Sequence, residues 1–167
     1  MELLFVYGTL MRGFWNNDLI ESSKFIGKAK TNKKGWLYIN TIPFLNFMED
    51  GEYISGELYQ VDEKTLGMID DLEGHPVFYK REKTMVTLEY NNMIYEAWIY
   101  VWPEEIKDLE EKQSDYKNAK FLNRYLVFID NDYIYEEFTS VESIKHKYKD
   151  MNIKAYDIKK GEKVIDG

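Results

Sequence analysis

The sequence predicts an α+β protein in which strands outnumber helices, and three observations predict it. Short apolar runs recur between glycine, asparagine and aspartate turn signals. One amphipathic helix, over residues 62–73, carries both a start and a stop signal. Composition changes after Pro103, and a separate strand–strand–helix–strand pattern follows. The expected division is a first domain over 1–103, a charged helix or linker over 104–121, and a small C-terminal ββαβ unit over 122–167.

Residues 3–7 form an apolar run bounded by Gly8, which reads as a buried strand. Residues 8–13 are a turn region in which two glycines let the backbone expose consecutive N–H groups. Residues 16–22 suit a short helix. Residues 25–30 and 35–39 read as two strands, with Lys33-Lys34 turning between them. Residues 41–48 are apolar, contain Pro43 and show no clean period, so they read as a loop that lines something. Asp50-Gly51 is a hairpin signal before an alternating strand over 53–61. Asp62 caps the following helix, Glu63 favours its positive end, and Gly74 and Pro76 stop it. Residues 79–90 and 93–101 make a hairpin about Asn91-Asn92.

The stretch 104–120 is highly charged with weak apolar support. Beyond it, 125–129 and 133–138 are strands about a turn at 130–132. Thr139 or Ser140 caps a helix over 141–148, and 153–158 is a third strand that turns into Val164-Ile165. Such a unit is near the lower size for independent folding, so it packs on the first domain or self-associates with another copy.

The bulk numbers exclude several function classes. There is no cysteine, which rules out disulfides, thiol nucleophiles and thiolate metal sites and fits a cytoplasmic location. His75 and His146 are the only histidines, so a zinc site or a Ser-His-Asp triad has little material. A net charge of −8 disfavours nucleic acid, whose phosphates demand a basic surface. No apolar run reaches membrane-spanning length and no signal-peptide pattern opens the chain, so no membrane partner is expected. The fourteen tyrosines are ordinary strand composition.

The helix over 62–73 carries the candidate chemistry. At about 100° per residue, Leu66 and Ile69 define the apolar face, with Leu72 at one edge. Glu73 lies seven residues after Leu66 and four after Ile69, on the same stripe. Asp71 points away and Asp70 lies near the other edge. Burial and the negative end of the helix dipole both raise the proton affinity of Glu73, as proton transfer near neutral pH requires. The alternative is a helix-end carboxylate paired with Lys80 or Arg81. The Tyr7-Gly8-Thr9-Leu10 turn reads as a nest of N–H groups for a carboxylate or an oxyanion, or as an ordinary strand end.

Together these stretches resemble the gamma-glutamylcyclotransferase-like superfamily, and within it the gamma-glutamylamine cyclotransferase, AIG2-like branch. The resemblance lies in Phe5-Val6-Tyr7-Gly8-Thr9-Leu10-Met11-Arg12-Gly13, in Gly56-Glu57-Leu58-Tyr59-Gln60-Val61, in residues 69–81 and in the strand over 93–102. It covers about residues 1–103 and leaves out the ββαβ unit.

The resemblance implies a small mixed β-barrel with flanking helices. It also implies an activity: the α-amine of a gamma-glutamyl substrate attacks its own side-chain amide, releasing 5-oxoproline and an amine or amino acid. By motif, Glu73 matches the family's catalytic glutamate. Tyr7, Gly8, Thr9 and Leu10 match its substrate-binding loop, and Tyr79 matches the tyrosine that follows the catalytic acid. The reaction needs no metal, no cofactor and no enzyme nucleophile, because the substrate brings its own. Arg12 is a further candidate for a substrate carboxylate, and His75 reads as loop structure. Two other readings stay open: a non-catalytic module that binds a small ligand in the same pocket, and a structural role through the C-terminal unit.

Overall fold

The computed structural model describes residues 1–40, 42–106, 111–119, 125–129, 132–136, 141–158 and 160–167. Its first sheet contains β1 (Glu2–Val6), β2 (Lys24–Asn40), β3 (Ile42–Phe47), β4 (Glu52–Val61), β5 (Lys80–Leu88) and β6 (Ile94–Val101). The order β2-β4-β1-β6-β5 closes on itself because β2 pairs with β5 as well as with β4. The result is a closed five-stranded barrel. Closure leaves these strands no free edge and buries side chains on one continuous inner face. Leu4, Leu58, Val86, Leu88, Ala97 and Ile99 are fully enclosed.

Three strand expectations are corrected. First, β2 is one strand of seventeen residues, not two about a turn at Lys33-Lys34. The polar stretch is an irregularity, with the register against β4 shifting between Lys30 and Lys34. Buried Thr31 bridges it, its hydroxyl donating to the Lys33 carbonyl at 2.7 Å and accepting from the Ile54 N–H at 2.9 Å. Second, residues 42–47 of the expected loop are β3, paired with β2 from Gly35↔Phe47 to Asn40↔Ile42; Thr41 lies outside the described residues. Proline is tolerated because β3 is an edge strand. Third, Asp50-Gly51 is a turn but not a hairpin: β2 lies between the strands it joins.

The helix α1 (Glu63–Glu73) forms where expected, with the Asp62 carboxylate accepting from the Thr65 N–H at 2.7 Å. Leu66 and Ile69 are buried, as the wheel requires. The expected helix over 16–22 is a single 3₁₀ turn at Asn17–Leu19. The charged stretch is likewise no long helix where it is described. It holds β7 (Lys112–Gln113), paired with β2, and a 3₁₀ turn at Tyr116–Asn118 whose Tyr116 packs on Phe14 at 5.1 Å. Residues 107–110 and 120 lie outside the described residues.

A second, antiparallel sheet contains β8 (Tyr125–Ile129), β9 (Asp132–Glu136), β10 (Ile153–Asp157) and β11 (Glu162–Asp166) in the order β11-β10-β8-β9, with α2 (Val141–Lys147) between β9 and β10. It carries one strand more than the expected ββαβ unit, because Val164-Ile165 pairs with β10. The expected turn at Asp130-Asn131, the strand end at 137–138 and the Thr139 or Ser140 cap lie outside the described residues. The period of two in β8 divides its side chains between two cores. Tyr125, Val127 and Ile129 face the cluster around Ile144 of α2, whereas Leu126 and Phe128 join the barrel's cluster, as does Ile158 after β10. The second sheet therefore packs on the barrel through one face.

Candidate active site

Strand β1 delivers the first wall of the site. After Val6 the chain leaves the ladder with β4 and turns. The turn is tied down through its acceptors. The Gly8 carbonyl takes the Met11 N–H at 3.0 Å, the Thr9 carbonyl takes the Asn16 N–H at 3.1 Å, and the Leu10 carbonyl takes the Asn17 side-chain amide at 2.8 Å. The Asn16 amide also holds the Thr9 hydroxyl at 2.9 Å. Buried Glu57 anchors the far end, accepting from the Arg12 N–H and the Tyr59 hydroxyl, each at 2.9 Å. The N–H groups of Gly8, Thr9 and Leu10 make no hydrogen bond among the described residues. Three consecutive donors in a braced loop are the raw material of an anion nest.

Helix α1 delivers the second wall. Gly74 adopts the left-handed conformation (φ 63°, ψ 33°), and the N–H groups of Gly74 and His75 satisfy the Asp71 and Asp70 carbonyls. The Tyr79 N–H satisfies the Glu73 carbonyl at 3.2 Å, so the backbone around Glu73 is held on both sides. Of the two expected alternative partners, Lys80 and Arg81, Arg81 is engaged elsewhere, binding Asp70 at 2.7 Å. No hydrogen bond or ion pair to the Glu73 carboxylate occurs among the described residues.

Both walls meet in a cavity of about 290 Å³. Tyr7, Gly8, Thr9, Leu10, Glu73 and Tyr79, the sequence-derived candidates, all line it. Arg12 and His75 are not among its described lining. The Arg12 guanidinium lies over the Phe25 ring at 3.5 Å, and His75 Nδ1 accepts the Arg81 N–H at 3.1 Å. Sequence reasoning missed Asn16, Tyr100 and Phe128 as cavity residues. None carries a local signal, since each reaches the cavity from an element assigned on other grounds.

Electrostatics sets the protonation of the site. Burial pushes Glu73 up to about 7, with solvent reaching the half-buried residue through the cavity. Burial also pushes the Tyr7 and Tyr79 phenols up, and the nearby Glu73 charge adds to the effect in both. They stay protonated, and their protons point away from Glu73: Tyr7 donates to the Tyr100 carbonyl at 2.6 Å and Tyr79 to the Pro43 carbonyl at 2.8 Å. Among the described residues the site thus offers a proton-accepting carboxylate with no cation on it and a set of backbone donors with no acceptor.

Behind the cavity, Asp70 ties the helix to the barrel. Its carboxylate takes the Tyr100 hydroxyl at 2.6 Å and the Arg81 guanidinium at 2.7 Å, both partly buried. Asp70→Asn is expected to lower unfolding free energy by about 1–3 kcal/mol, because both donors lose the acceptor's charge and one of them is left facing an amide NH2 that cannot accept. Urea unfolding at pH 7 checks this.

The fold and the site define a small closed barrel in which a carboxylate, unpaired among the described residues, shares one cavity with a loop of backbone donors. Among the described residues no group of three or more His, Asp or Glu could hold a metal ion. The chain belongs to the family described as gamma-glutamyl cyclotransferase, AIG2-like, whose family model matches residues 4–119. A candidate gamma-glutamylcyclotransferase of Methanocaldococcus jannaschii is 49% identical over 121 residues, covering 72% of this chain and 99% of that one. Human gamma-glutamylaminecyclotransferase is 36% identical over 97 residues, covering 53% of this chain and 63% of that one. The crystal structure of a mouse AIG2-like protein superposes with a TM-score of 0.64 at 25% identity, over 72% of this chain and 91% of that one. The second sheet begins after the stretch matched by the family model.

Proposed function

We propose that the protein is a cyclotransferase that cleaves gamma-glutamyl amides or peptides to 5-oxoproline and a free amine or amino acid, with Glu73 as general acid and base. The observation that carries this is a carboxylate, raised by burial to about 7 and without a partner among the described residues, in the same cavity as three backbone N–H groups that make no hydrogen bond among those residues. An apolar cavity does not keep an unpaired carboxylate at no cost. A substrate ammonium is the partner that offsets it.

In this reading the substrate α-ammonium binds at Glu73 and gives it one proton. The freed amine attacks the side-chain amide carbonyl, forming the ring C–N bond. The N–H groups of Gly8, Thr9 and Leu10 serve the anionic parts of the substrate, its carboxylate or the oxyanion of the tetrahedral intermediate. Protonated Glu73 then gives its proton to the departing nitrogen as the original amide C–N bond breaks. The ring nitrogen's second proton leaves to solvent, and the released amine takes one up there. Water is not consumed. Tyr79 and Tyr7 shape the wall beside Glu73, and holding the substrate folded supplies the entropic advantage of ring closure.

The test is 5-oxoproline release from a panel of gamma-glutamyl dipeptides and gamma-glutamyl amines; turnover of none of them sinks the proposal. The same assay gives the pH dependence. Glu73 must start as the carboxylate, so kcat/KM is expected to rise about tenfold per pH unit below an inflection near 7 and to level off above it. The inflection in kcat is expected at lower pH, because the bound ammonium favours the ionised form.

A further inference from the structure

The turn between β10 and β11 lies outside the stretch matched by the family model, yet it rests against the donor loop. A Cβ on Gly13 would fall on the Gly161 carbonyl, and one on Gly161 would stand 3.6 Å from the Arg12 carbonyl oxygen and from Gly13 Cα. Both glycines have positive φ, 87° at Gly13 and 68° at Gly161, so the two backbones meet with no side chain between them. The contact falls next to the loop's anchor on the barrel, since Arg12 donates its N–H to Glu57. Further along the loop, Asp18 faces Lys163 of β11 at 4.0 Å. The turn is itself fixed by Asp157, a buried residue that the proposed reaction does not use. Its carboxylate accepts the Lys160 N–H at 3.1 Å and its carbonyl accepts the Gly161 N–H at 2.8 Å.

We propose that the turn from Asp157 to Gly161 clamps the donor loop against the barrel, and that Asp157 is a positioning residue for the Gly8, Thr9 and Leu10 N–H groups. The inference rests on the cyclotransferase reading for what those donors do. The bonds within the loop, from the Met11 N–H to the Gly8 carbonyl and from the Asn16 N–H to the Thr9 carbonyl, fix its shape. Its place comes from Glu57 and Tyr116 on the barrel side and from Gly161 on the side of the second sheet. Apolar packing such as that of Phe14 on Tyr116 sets no direction for an N–H group, and one hydrogen bond at Arg12 leaves a pivot. A second fixed point at Gly13 removes it. The aim of the donors matters, because a misplacement of about 1 Å costs up to about 10²-fold in rate. The second sheet is then a support that holds part of the catalytic machinery in place from outside the barrel.

The experiment uses the full-length chain and reads amide hydrogen exchange by NMR beside 5-oxoproline release. Asp157→Ala removes the acceptor of the Lys160 N–H. It is expected to lower protection of the Met11 and Asn16 amides by about tenfold or more, with Leu4 of β1 unchanged. It is expected to lower kcat/KM by about tenfold, with the inflection still near pH 7 because Glu73 keeps its surroundings. Asp157→Asn keeps an acceptor oxygen and is expected to stay within about twofold of the wild type in both measurements. Gly161→Val disturbs the turn by a second route, since a β-branched residue does not hold φ 68°, and is expected to match Asp157→Ala. Lost protection at Val127 in Asp157→Ala would mark unfolding of the second sheet, and Gly161→Val then decides. Full protection of Met11 and Asn16 in Gly161→Val overturns the clamp, as does equal loss at Leu4. An asparagine variant as impaired as the alanine one overturns the role of Asp157, and a loosened loop with undiminished turnover overturns the catalytic consequence. No 5-oxoproline from the wild type overturns the cyclotransferase reading and the clamp's part in it, while the exchange pattern still decides whether the turn holds the loop.

Discussion

Glu73→Gln is expected to leave the barrel folded and to lower 5-oxoproline formation by about 10³-fold, the size of effect that a positioned acid–base group contributes. Glutamine fills the same volume at the end of α1 but cannot accept the substrate's proton or return it to the leaving nitrogen. Leu66, Ile69 and the Gly74 stop, which hold the helix end, are untouched. Stability gives an independent check. A carboxyl raised from its ordinary value near 4.5 to about 7 binds more protons in the folded state than in the unfolded state between those limits. Its contribution to stability is fully present below about pH 4.5 and is lost as pH rises through about 7. The glutamine variant carries no such dependence. It is therefore expected to be about 2 kcal/mol more stable than the wild type at pH 8 and indistinguishable from it at pH 4, the full linkage being reduced by solvent reaching the cavity. Urea titrations of both proteins at the two pH values read this directly. A variant that loses activity and also loses stability at pH 8 would give Glu73 a structural role instead.

Gly8→Ala is expected to lower kcat by about 10²-fold, the effect of displacing one or more oxyanion donors. The cause is a close approach rather than backbone strain. A Cβ on Gly8 would stand 2.6 Å from Pro43 Cγ and 3.2 Å from its Cδ. The Pro43 ring has no rotamer to escape into, and its carbonyl accepts the Tyr79 hydroxyl. Either the loop moves, taking the Gly8, Thr9 and Leu10 N–H groups with it, or β3 moves and Tyr79 loses its acceptor. A melting curve with steady-state kinetics measures both costs, and the fold is expected to lose about 1–3 kcal/mol from overpacking. Gly67→Ala is the control. A Cβ there meets nothing within 4 Å on helix α1, so stability is expected to rise by about 0.5–1 kcal/mol with kcat unchanged. An unaltered kcat in Gly8→Ala would remove the loop donors from the mechanism.

The parts of the fold legible in the sequence are those whose signals are local. The Asp62 cap, the Leu66–Ile69 stripe and the Gly74 stop all lie within one helix, and α1 forms where they place it. The hairpin of β5 and β6 was legible for the same reason, since its two strands are joined by a short turn and pair with each other. The strand β2 was not. Its polar centre reads as a turn because nothing local distinguishes a reversal from an irregularity bridged by the Thr31 hydroxyl. The strand β3 was read as a loop because Pro43 argues against a central strand, and its place at a sheet edge depends on partners far along the chain.

The same division runs through the site. The sequence determined that Glu73 lies on the buried stripe at the end of a stopped helix, and that a glycine turn follows the first strand. Side-chain period and backbone stereochemistry decide both within a few residues. Long-range packing alone brings these two features to one cavity, pairs Arg81 with Asp70 rather than with Glu73, and sets Tyr100 and Phe128 in the wall. Those facts depend on barrel closure and on the second sheet packing against it. Such contacts join residues separated by tens of positions, and what fixes them is the fit of whole surfaces rather than the preference of any one segment.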